Sequence, residues 1–591
     1  MPLLRFFGLN LENNFTAPES ATPIVNTPPT HRPRSISLTE KITAVILLAA
    51  FVVLRIKLAY LEHSNSDEPQ HLHVIWGWAN GFVPYLHFFD NHTPLFHWLF
   101  APVFRSLGER SDILYPMRQW MLPLFLISLL CIARLGALLW SPRAGLWAAV
   151  WAAFYPPIFH MMGECRTDTL WTMLWLLALT IFLGGRVTPL RWLVGGLVLG
   201  AAFATSMKTT LLLLMLLLGG LGARLLIPHA QCVPFRKIAL SVLMALIGVC
   251  IIPGAFIAFF WSHGALKEMY YCVIEHNTIP GTHTPARILR HLVSYYTLWL
   301  LPMAGLLWWL KKHPSSEPAR DARRITLIIA ASVFFPLLHS VWVVMTSQDY
   351  VPWHPLVLVL VAPVALAAFD WLAAMTKGWL APALLGVILV GGEVLWFSAY
   401  TFRPIGKFNS LDLELAEVLT LTKPGDLIMD CKGETIFRER AYYYVLETLT
   451  NERLALGLMK DDIAETLATK GVAVISHNEK RLTKQAEEFI EANYIKVGSL
   501  HVAGKILTPD ENGDCTFTLA VGQRYAVVNE KGPISGTLDG QPLDGPLIMT
   551  AGQHTLHLSA RHKHVAIEWA HAAELGFSPF HFRDTTTAIS K

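Results

Sequence analysis

The sequence predicts a mainly α fold: a polytopic helical membrane domain of about eleven spans, then a C-terminal soluble α/β region and a β-sandwich-like region. Hydrophobic residues make up 53% and charged residues 15% of 591 positions, and the mean hydropathy is +0.42. Both the composition and the mean hydropathy differ from those of typical soluble proteins and are typical of membrane proteins. Charged residues collect between the apolar segments, and beyond Tyr400 the composition becomes that of a soluble domain.

The apolar segments approach the 17–25 residues or so that a membrane-spanning helix needs. Several are short or interrupted by Gly and Pro, so the count could change by about two. The predicted spans are Ile42–Leu61, Tyr115–Trp140, Ala144–Met162, Leu170–Gly184, Trp192–Met207, Thr209–Ile227, Ile238–Trp261, Leu292–Leu310, Ile325–Met345, Leu356–Leu372 and Trp379–Trp396. Together they define a membrane domain over residues 42–400.

Basic residues fall before the first span and in every second loop after it. They are Arg32, Arg34, Lys41, Arg143, Arg186, Arg191, Arg224, Arg236, Lys237, Lys311, Lys312, Arg320, Arg323 and Arg324. Because cytoplasmic loops are rich in Lys and Arg, this pattern predicts a cytoplasmic N-terminus. An odd number of spans then places the C-terminus outside. Residues 1–41 contain no apolar signal segment and are predicted to form a cytoplasmic tail.

These features favour a multi-pass protein of a bacterial inner membrane, with its C-terminal domain in the periplasm. The net charge of +4 is spread over the basic loops and forms no patch that indicates a nucleic-acid partner. Membrane lipids are expected partners.

The outer loops carry the acids and histidines. The long stretch 62–114 interleaves Trp and Phe with His and Asp, which is typical of short helices at the membrane interface. A second long outer loop is predicted over residues 262–291.

The C-terminal part is predicted to hold two regions. Residues 401–510 combine a helix at Leu411–Leu421 with strands near Asp426–Asp430 and Gly471–Ser476, which indicates an α/β domain. Residues 511–591 show short alternating strands with a turn at Asp539-Gly540, which indicates a β-sandwich-like domain. The sequence has seven cysteines without zinc spacing. Cys431 and Cys515, both in the outer part, could form a disulfide.

Asp67 and Glu68 follow the first span directly, at its outer end. A carboxylate there could accept the proton of an attacking hydroxyl, as a general base does. The alternative is an ordinary solvated acidic loop.

A second cluster surrounds Thr93-Pro94-Leu95 and comprises His87, Asp90, His92 and His97. These side chains could bind a metal or contact phosphate. They could equally be the polar residues of an interfacial helix.

Cationic residues follow on the same side. Arg166 and Asp168 lie at the outer end of the third span, where buried charges usually pair or serve a site. An Arg suits a phosphate because its fork donates two parallel hydrogen bonds. Lys208, between two spans, could contact phosphate or extend toward the interface. His276, in the later outer loop, could be a metal ligand or a surface residue.

In these segments the chain resembles the GT-C type of polytopic glycosyltransferase, most closely the family of protein O-mannosyltransferases and lipid A aminoarabinose transferases. The resemblance covers residues 40–400. It rests on Asp67-Glu68, Gly81–Tyr85 followed by Phe89–Leu95, Arg166-Thr167-Asp168, Thr205–Thr209, His276-Asn277, and Gln348-Asp349-Tyr350 before Pro352 and Pro355.

The resemblance implies sugar transfer from a polyprenyl-phosphate donor at the outer leaflet, with Asp67 as base beside Glu68. It implies donor-phosphate binding by Arg166, Lys208 and His92, and site-supporting roles for Asp168, Asp349 and Tyr350. A divalent metal could be held by His276 with Asp90. One departure is that Asn91-His92 replaces the acid-Lys pair usual in the family. Possible acceptors are a glycan, a lipid or a protein.

Two other function classes fit parts of the sequence. A secondary transporter or lipid flippase would explain charges near interrupted spans, but it predicts inverted repeats and midplane charges. A non-catalytic envelope assembly protein would leave the Asp67, Arg166 and Lys208 pattern without a role.

Overall fold

The computed structural model describes residues 35–227, 233–279, 300–342, 345–375, 380–400, 410–478, 480–560 and 562–581. The predicted tail up to residue 34, residues 280–299 of the second outer loop and the next predicted span, and the junction 401–409 lie outside the described residues.

The described part of the membrane domain is mainly helical. Its helices are α1 Leu38–Leu61, α2 Glu68–Ala79, α3 Leu95–Leu107, α4 Leu114–Gln119, α5 Met121–Leu139, α6 Pro142–Phe154, α7 Pro156–Met161, α8 Thr167–Leu183, α9 Pro189–Thr205, α10 Thr209–Leu226, α11 Phe235–Ser262, α12 Leu266–Tyr270, α13 Pro318–Val341, α14 His354–Met375 and α15 Leu380–Tyr400. Residues 300–312 are also helical. A π turn at Tyr271–Glu275 follows α12, and a 3₁₀ turn at Ser347–Tyr350 precedes α14.

Among the described residues, six helices are long and apolar enough to cross a membrane. They are α1, α4 with α5, α10, α11, α13 and α14. Three shorter apolar segments, Thr167–Leu183, Pro189–Thr205 and Val387–Trp396, coincide with other predicted spans. The span predicted at Ala144–Met162 is two helices, α6 and α7, which meet at Tyr155. The break follows from Pro156 and Pro157, since proline cannot donate a helical hydrogen bond.

The two sets of loops lie at opposite ends of the bundle. Helix α1 has 24 residues, which corresponds to about 36 Å. Near its first turn, Arg143 contacts Glu40 at 2.7 Å and Asp370 at 2.6 Å. Beyond its last turn lies Asp67. The separation of basic from acidic loops in the sequence therefore corresponds to two ends of one helix bundle.

Close packing of α9 on α11 depends on small residues. A Cβ at Gly196 or Gly200 would collide with the backbone of Ala245 or Val249, and one at Gly248 would collide with that of Leu193. Glycines four residues apart let two apolar helices approach closely enough for extensive van der Waals contact. This packing brings the end of α9, and Lys208 after it, to the acidic end of the bundle.

The outer loop 62–114 contains the two helices α2 and α3, which pack on each other. Helix α2 begins directly after Asp67, with Pro69 in its first turn, a position where the missing N–H costs nothing. Most of α2 is buried, including Glu68, His71 and His73, because the C-terminal region covers it.

The described residues of the C-terminal region form five helices and two sheets. The helices are α16 Ser410–Leu421, α17 Thr448–Ala455, α18 Ile463–Thr469, α19 Lys484–Asn493 and α20 Ala570–Glu574. The strands are β1 Leu427–Met429, β2 Glu439–Arg440, β3 Val474–Ile475, β4 Tyr494–Val497, β5 Leu500–Leu507, β6 Asp514–Leu519, β7 Gln523–Asn529, β8 Gly532–Pro533, β9 Gly536–Leu538, β10 Gln541–Pro542, β11 Leu547–Met549, β12 Gly552–Leu558 and β13 Val565–Trp569.

One nine-stranded sheet runs through this region in the order β11-β7-β13-β5-β3-β1-β2, with β4 on β5 and β8 on β7. Strand β1 is parallel to β2 and β3, and the other pairings are antiparallel. A second sheet has the order β10-β9-β12-β6 and shares its core with the first through Phe517, Leu556, Tyr525 and Ile567. The turn at Asp539-Gly540 joins β9 to β10 with positive φ at both residues, as type I′ hairpins require.

Two predictions for this region differ from the structure. The boundary between residues 510 and 511 falls inside a continuous sheet, because β13 pairs with β5 across it. Cys431 and Cys515 are both free thiols, so the disulfide is absent. Cys431 follows β1 and is buried in the core, whereas Cys515 is half-buried on β6 in the other sheet.

Candidate functional site

Asp67 is the centre of an ion-pair cluster at the acidic end of the bundle. Its Oδ2 lies 2.8 Å from Arg166 Nη2. Its Oδ1 accepts a hydrogen bond from Lys432 Nζ, supplied by the C-terminal region. The Asp67 side chain remains 23% exposed, so the carboxylate is accessible from one side. Sequence positions 67, 166 and 432 thus meet at one point.

Local structure fixes both partners of the central pair. Asp67 is the residue before α2, and its backbone N–H donates to Asn65 Oδ1 at 3.1 Å. Arg166 is the residue before α8 and has extended backbone angles. Its Nη1 donates to the same Asn65 Oδ1 at 3.3 Å. Asn65 therefore ties the loop after α1 to the loop before α8.

Arg166 is surrounded by carboxylates. Besides Asp67, its nearest acids are Glu164 at 3.6 Å and Asp168 at 3.4 Å. The contact with Asp168 is not a hydrogen bond, so the buried Nε–H has no acceptor among the residues that the structure describes. A buried guanidinium N–H without an acceptor is costly. An oxyanion in this pocket would relieve that cost.

Lys208 is the second predicted phosphate ligand. Its Nζ donates to Asp349 Oδ1 and lies 5.1 Å from the centre of the Trp342 ring. Asp349 is buried and also accepts from the Thr346 N–H at 2.7 Å, which caps the 3₁₀ turn before α14. Tyr350 follows in the same turn, with its hydroxyl 3.3 Å from His339 Nε2. Asp349 therefore positions the Lys208 ammonium.

Burial and neighbouring charges shift the pKa values of two acids in the cluster, Asp67 and Glu164, in opposite directions. Burial alone would raise the pKa of Asp67, but Arg166 and Lys432 outweigh it and hold the pKa well below its usual range. Burial raises the pKa of Glu164 to about 7, although Arg166 opposes the shift. At neutral pH Asp67 is thus an ionised carboxylate, whereas the pKa of Glu164 is raised toward neutrality.

Glu68 plays a different part from its neighbour. It is fully buried, and its two oxygens accept from Arg118 at 2.8 Å and 2.5 Å. Oε1 also accepts from the Cys165 N–H at 2.9 Å. Because these bonds occupy both oxygens, the geometry favours Glu68 as an anchor between α2, α4 and the loop before α8, and does not favour it as a base.

The histidine cluster forms a chain beside Asp67. Asp90 Oδ1 lies 2.9 Å from His92 Nδ1 and its Oδ2 lies 3.4 Å from His97 Nδ1. His97 Nε2 is 2.9 Å from His71 Nδ1. Burial lowers the pKa of His97 to about 4 and that of His71 well below its usual value. Of these residues His92 is the most exposed, at 31%, so it is the one placed to contact a ligand.

The predicted metal ligands do not form a metal site. The His276 ring is buried, with Nε2 3.1 Å from Thr450 Oγ1 and 3.4 Å from Glu447 Oε1. Asp90 is engaged with His92 and His97. Across the described ranges, no three His, Cys, Asp or Glu side chains converge as metal ligands. The residues present therefore do not fit a divalent metal, and no chemical step is assigned to one.

The C-terminal region closes over this end of the bundle through contacts with α2 and its neighbours. His73 Nδ1 lies 3.0 Å from Ile436 O, and Arg438 Nη1 lies 2.9 Å from Glu109 Oε1. The hydroxyl of Tyr443 donates to the carbonyl of Tyr85. The C-terminal region thus lies beside the site and contacts the segments that carry it.

Three groups near the site were not predicted from the sequence. Glu164 lies two residues before Arg166, so its proximity could have been inferred from spacing. Lys432 belongs to another region, and nothing in its local sequence indicates the contact. The third group is a buried chain in which Arg55 contacts Glu62 at 2.6 Å, and His160 contacts both Glu62 and Glu393 at 2.7 Å and 2.8 Å. That chain connects α1, α7 and α15.

Among solved structures, the chain is similar to ArnT from Cupriavidus metallidurans in the apo state, with 13% identity and a TM-score of 0.51. The match covers 78% of this chain and 98% of that one. ArnT from the same organism bound to undecaprenyl phosphate matches with 12% identity, a TM-score of 0.49 and coverage of 74% and 94%.

The Archaeoglobus fulgidus oligosaccharyltransferase complex with Zn and sulfate matches with 12% identity, a TM-score of 0.45 and coverage of 77% and 71%. No protein-family model matches this chain, and no curated protein matches it by sequence. The similarity to apo ArnT confirms the architecture that the sequence resemblance implied. The chain is mainly helical and has the GT-C type of fold.

Proposed function

We propose that this protein is a membrane glycosyltransferase that moves a sugar from a polyprenyl-phosphate donor to an acceptor hydroxyl. The observation that carries the proposal is the 2.8 Å contact between Asp67 and Arg166. It joins a carboxylate suited to accept a proton with a guanidinium suited to bind a phosphate. The fold similarity supports the same function class.

Donor binding is assigned to Arg166 and Lys208. Each is paired with carboxylates, and Arg166 retains a buried N–H without an acceptor in the described part of the chain. A phosphodiester bound between them would accept hydrogen bonds from both groups. Its negative charge would compensate the charge of the two cations. A lipid anchor would hold that phosphate at the ends of the spanning helices.

The chemical step is a single displacement. The acceptor oxygen attacks the anomeric carbon, and the bond from that carbon to the phosphate oxygen breaks with its electron pair on the phosphate. Asp67 takes the hydroxyl proton, while Arg166 and Lys208 stabilise the charge that develops on the leaving group. Attack opposite the leaving group inverts the anomeric configuration, so the product anomer measured by NMR should be opposite to that of the donor.

The supporting residues act through these groups. Asp349 holds the Lys208 ammonium, Tyr350 extends the same turn, and Asp168 faces the Arg166 guanidinium. His92 lies beside Asp67 and is proposed as a further contact of the donor phosphate.

For the cellular setting, we propose a bacterial inner membrane with the site on the periplasmic side. Nucleotide sugars are made in the cytoplasm, so a site on the other side needs a donor that has crossed the membrane. A lipid phosphate meets that need. The acceptor is a hydroxyl of a glycan, a lipid or a protein.

The test is transfer of label from radiolabelled polyprenyl-phosphate sugars by membranes containing the wild type, Asp67→Asn or Arg166→Ala. Arg110→Ala is a matched control, because Arg110 is a half-exposed loop residue paired with Asp112. We expect transfer by the wild type and the control only. Equal transfer by all four proteins would contradict the site. A transporter or flippase would move the labelled lipid between leaflets without transferring the sugar.

A further inference from the structure

The C-terminal domain places a cation inside the candidate site. Lys432 Nζ donates to Asp67 Oδ1, and the Lys432 side chain is only 8% exposed. Because Asp67 also contacts Arg166, one carboxylate pairs with two cations from two parts of the chain. Lys432 thus joins Arg166 and Lys208 as a cation of the site, and its local sequence does not indicate this.

The turn that carries Lys432 is rigidly built. The buried Asp430 accepts from the Gly433 N–H at 2.8 Å and from Thr435 Oγ1 at 2.6 Å, and Arg440 Nε donates to it at 2.7 Å. The Lys432 N–H donates to Glu434 Oε2 at 2.5 Å. A carboxylate that accepts several hydrogen bonds within one turn holds that turn in one conformation, so the position of Lys432 is defined.

The same turn is seated against α2. Gly433 has φ +81°, and a Cβ there would lie 3.0 Å from His73 Cβ and 3.1 Å from Gln70 Cα. Only a residue without a side chain fits this approach without strain. The close contact brings the neighbouring Lys432 within reach of Asp67, which lies just before the same helix.

We propose that Lys432 is a donor-phosphate ligand supplied by the outer domain, and that it is held by Asp67 until the donor binds. This inference rests on the proposed function. A phosphodiester at Arg166 lies within the reach of the same ammonium, because Arg166 and Lys432 share the Asp67 carboxylate. When the ammonium moves to the phosphate, Asp67 loses one of its two cations and becomes a stronger base. Donor binding thereby prepares the carboxylate for the acceptor.

The experiment compares Lys432→Ala and Lys432→Arg with the wild type and with Lys496→Ala, an exposed lysine on β4 of the same domain. The KM values for donor and for acceptor are measured separately. We expect Lys432→Ala to raise the donor KM about tenfold or more, which is the effect of one charge-assisted hydrogen bond. The acceptor KM should stay within about twofold, and Lys432→Arg should restore most of the donor affinity.

A second readout is the pH dependence of kcat/KM for the donor, which reports the ionisation of the enzyme before the donor binds. Among the described residues, the cations that face Asp67 are Arg166 and Lys432, with the His92 ring beside them. Removing the ammonium should shift the acidic limb of this kcat/KM profile to higher pH, because Lys432 pairs with Asp67 in that state. A merely structural role would not move that limb.

The results separate the two hypotheses. If the wild type transfers no sugar, the proposed function fails. If the wild type is active but Lys432→Ala has an unchanged donor KM and an unchanged acidic limb, this inference is overturned. An equal rise of both KM values without rescue by arginine would also overturn it, because it would indicate loss of domain docking.

Discussion

Replacing Arg166 by alanine is the sharpest perturbation of the site. In the free protein the guanidinium contacts Asp67 at 2.8 Å, with Asp168 at 3.4 Å and Glu164 at 3.6 Å. Alanine removes the only group that contacts all three acids in the described part of the chain. It also removes the fork that would hold the donor phosphate in two parallel bonds.

The expected magnitude follows from those bonds. A hydrogen bond to a charged group contributes about 1.5–3 kcal/mol. Two such bonds to the phosphate correspond to about 3–6 kcal/mol, or about a hundredfold to ten-thousandfold in kcat/KM. Arg166→Lys keeps the charge but loses the fork, so its activity should lie between those of the wild type and alanine.

The assay is initial-rate transfer from a radiolabelled polyprenyl-phosphate sugar at several donor concentrations. Unfolding temperatures are measured in parallel, so that a loss of activity can be separated from a loss of fold. An Arg166→Ala protein that is folded and loses less than about tenfold in kcat/KM would refute the assignment of this guanidinium to the donor phosphate.

Three further predictions follow from neighbouring residues. Glu68→Gln should lower the free energy of unfolding by about 3–5 kcal/mol, because it leaves the buried Arg118 guanidinium without its counter-charge; chemical denaturation measures this, and an unchanged midpoint would contradict the anchoring role. The wild-type donor KM should rise as the pH increases through about 7, because ionised Glu164 then competes with the phosphodiester for Arg166. Kinetics of Glu164→Gln test this idea, which fails if the variant keeps the same pH dependence. Gly433→Ala should raise the donor KM, since a Cβ 3.0 Å from His73 Cβ and a positive φ push the Lys432 turn away from α2. Gly457→Ala, also at positive φ but with open space around its Cβ, is the matched control and should leave the KM unchanged.

Much of the fold could be predicted because it depends on local patterns. The helices α1, α10 and α11 lie where the apolar segments predicted them, and α16 lies where a helix was predicted at Leu411–Leu421. The boundary at residues 510–511 could not be predicted correctly, because the pairing of β5 with β13 depends on residues far apart in the chain. The disulfide that Cys431 and Cys515 could have formed is absent, and the sequence could not decide this because spacing does not give the distance between two thiols.

The candidate site, like the fold, could be predicted from the sequence only in part. The sequence by itself determined that acids and cations gather at one end of the helix bundle, because the transfer cost of charges keeps them near the span ends. It did not determine which charges meet. Only tertiary packing decided the partners. Asp67 contacts Arg166 and Lys432, whereas the adjacent Glu68 contacts Arg118. Successive residues at the start of a helix point in different directions, and only the elements that pack around them decide which partner each one finds.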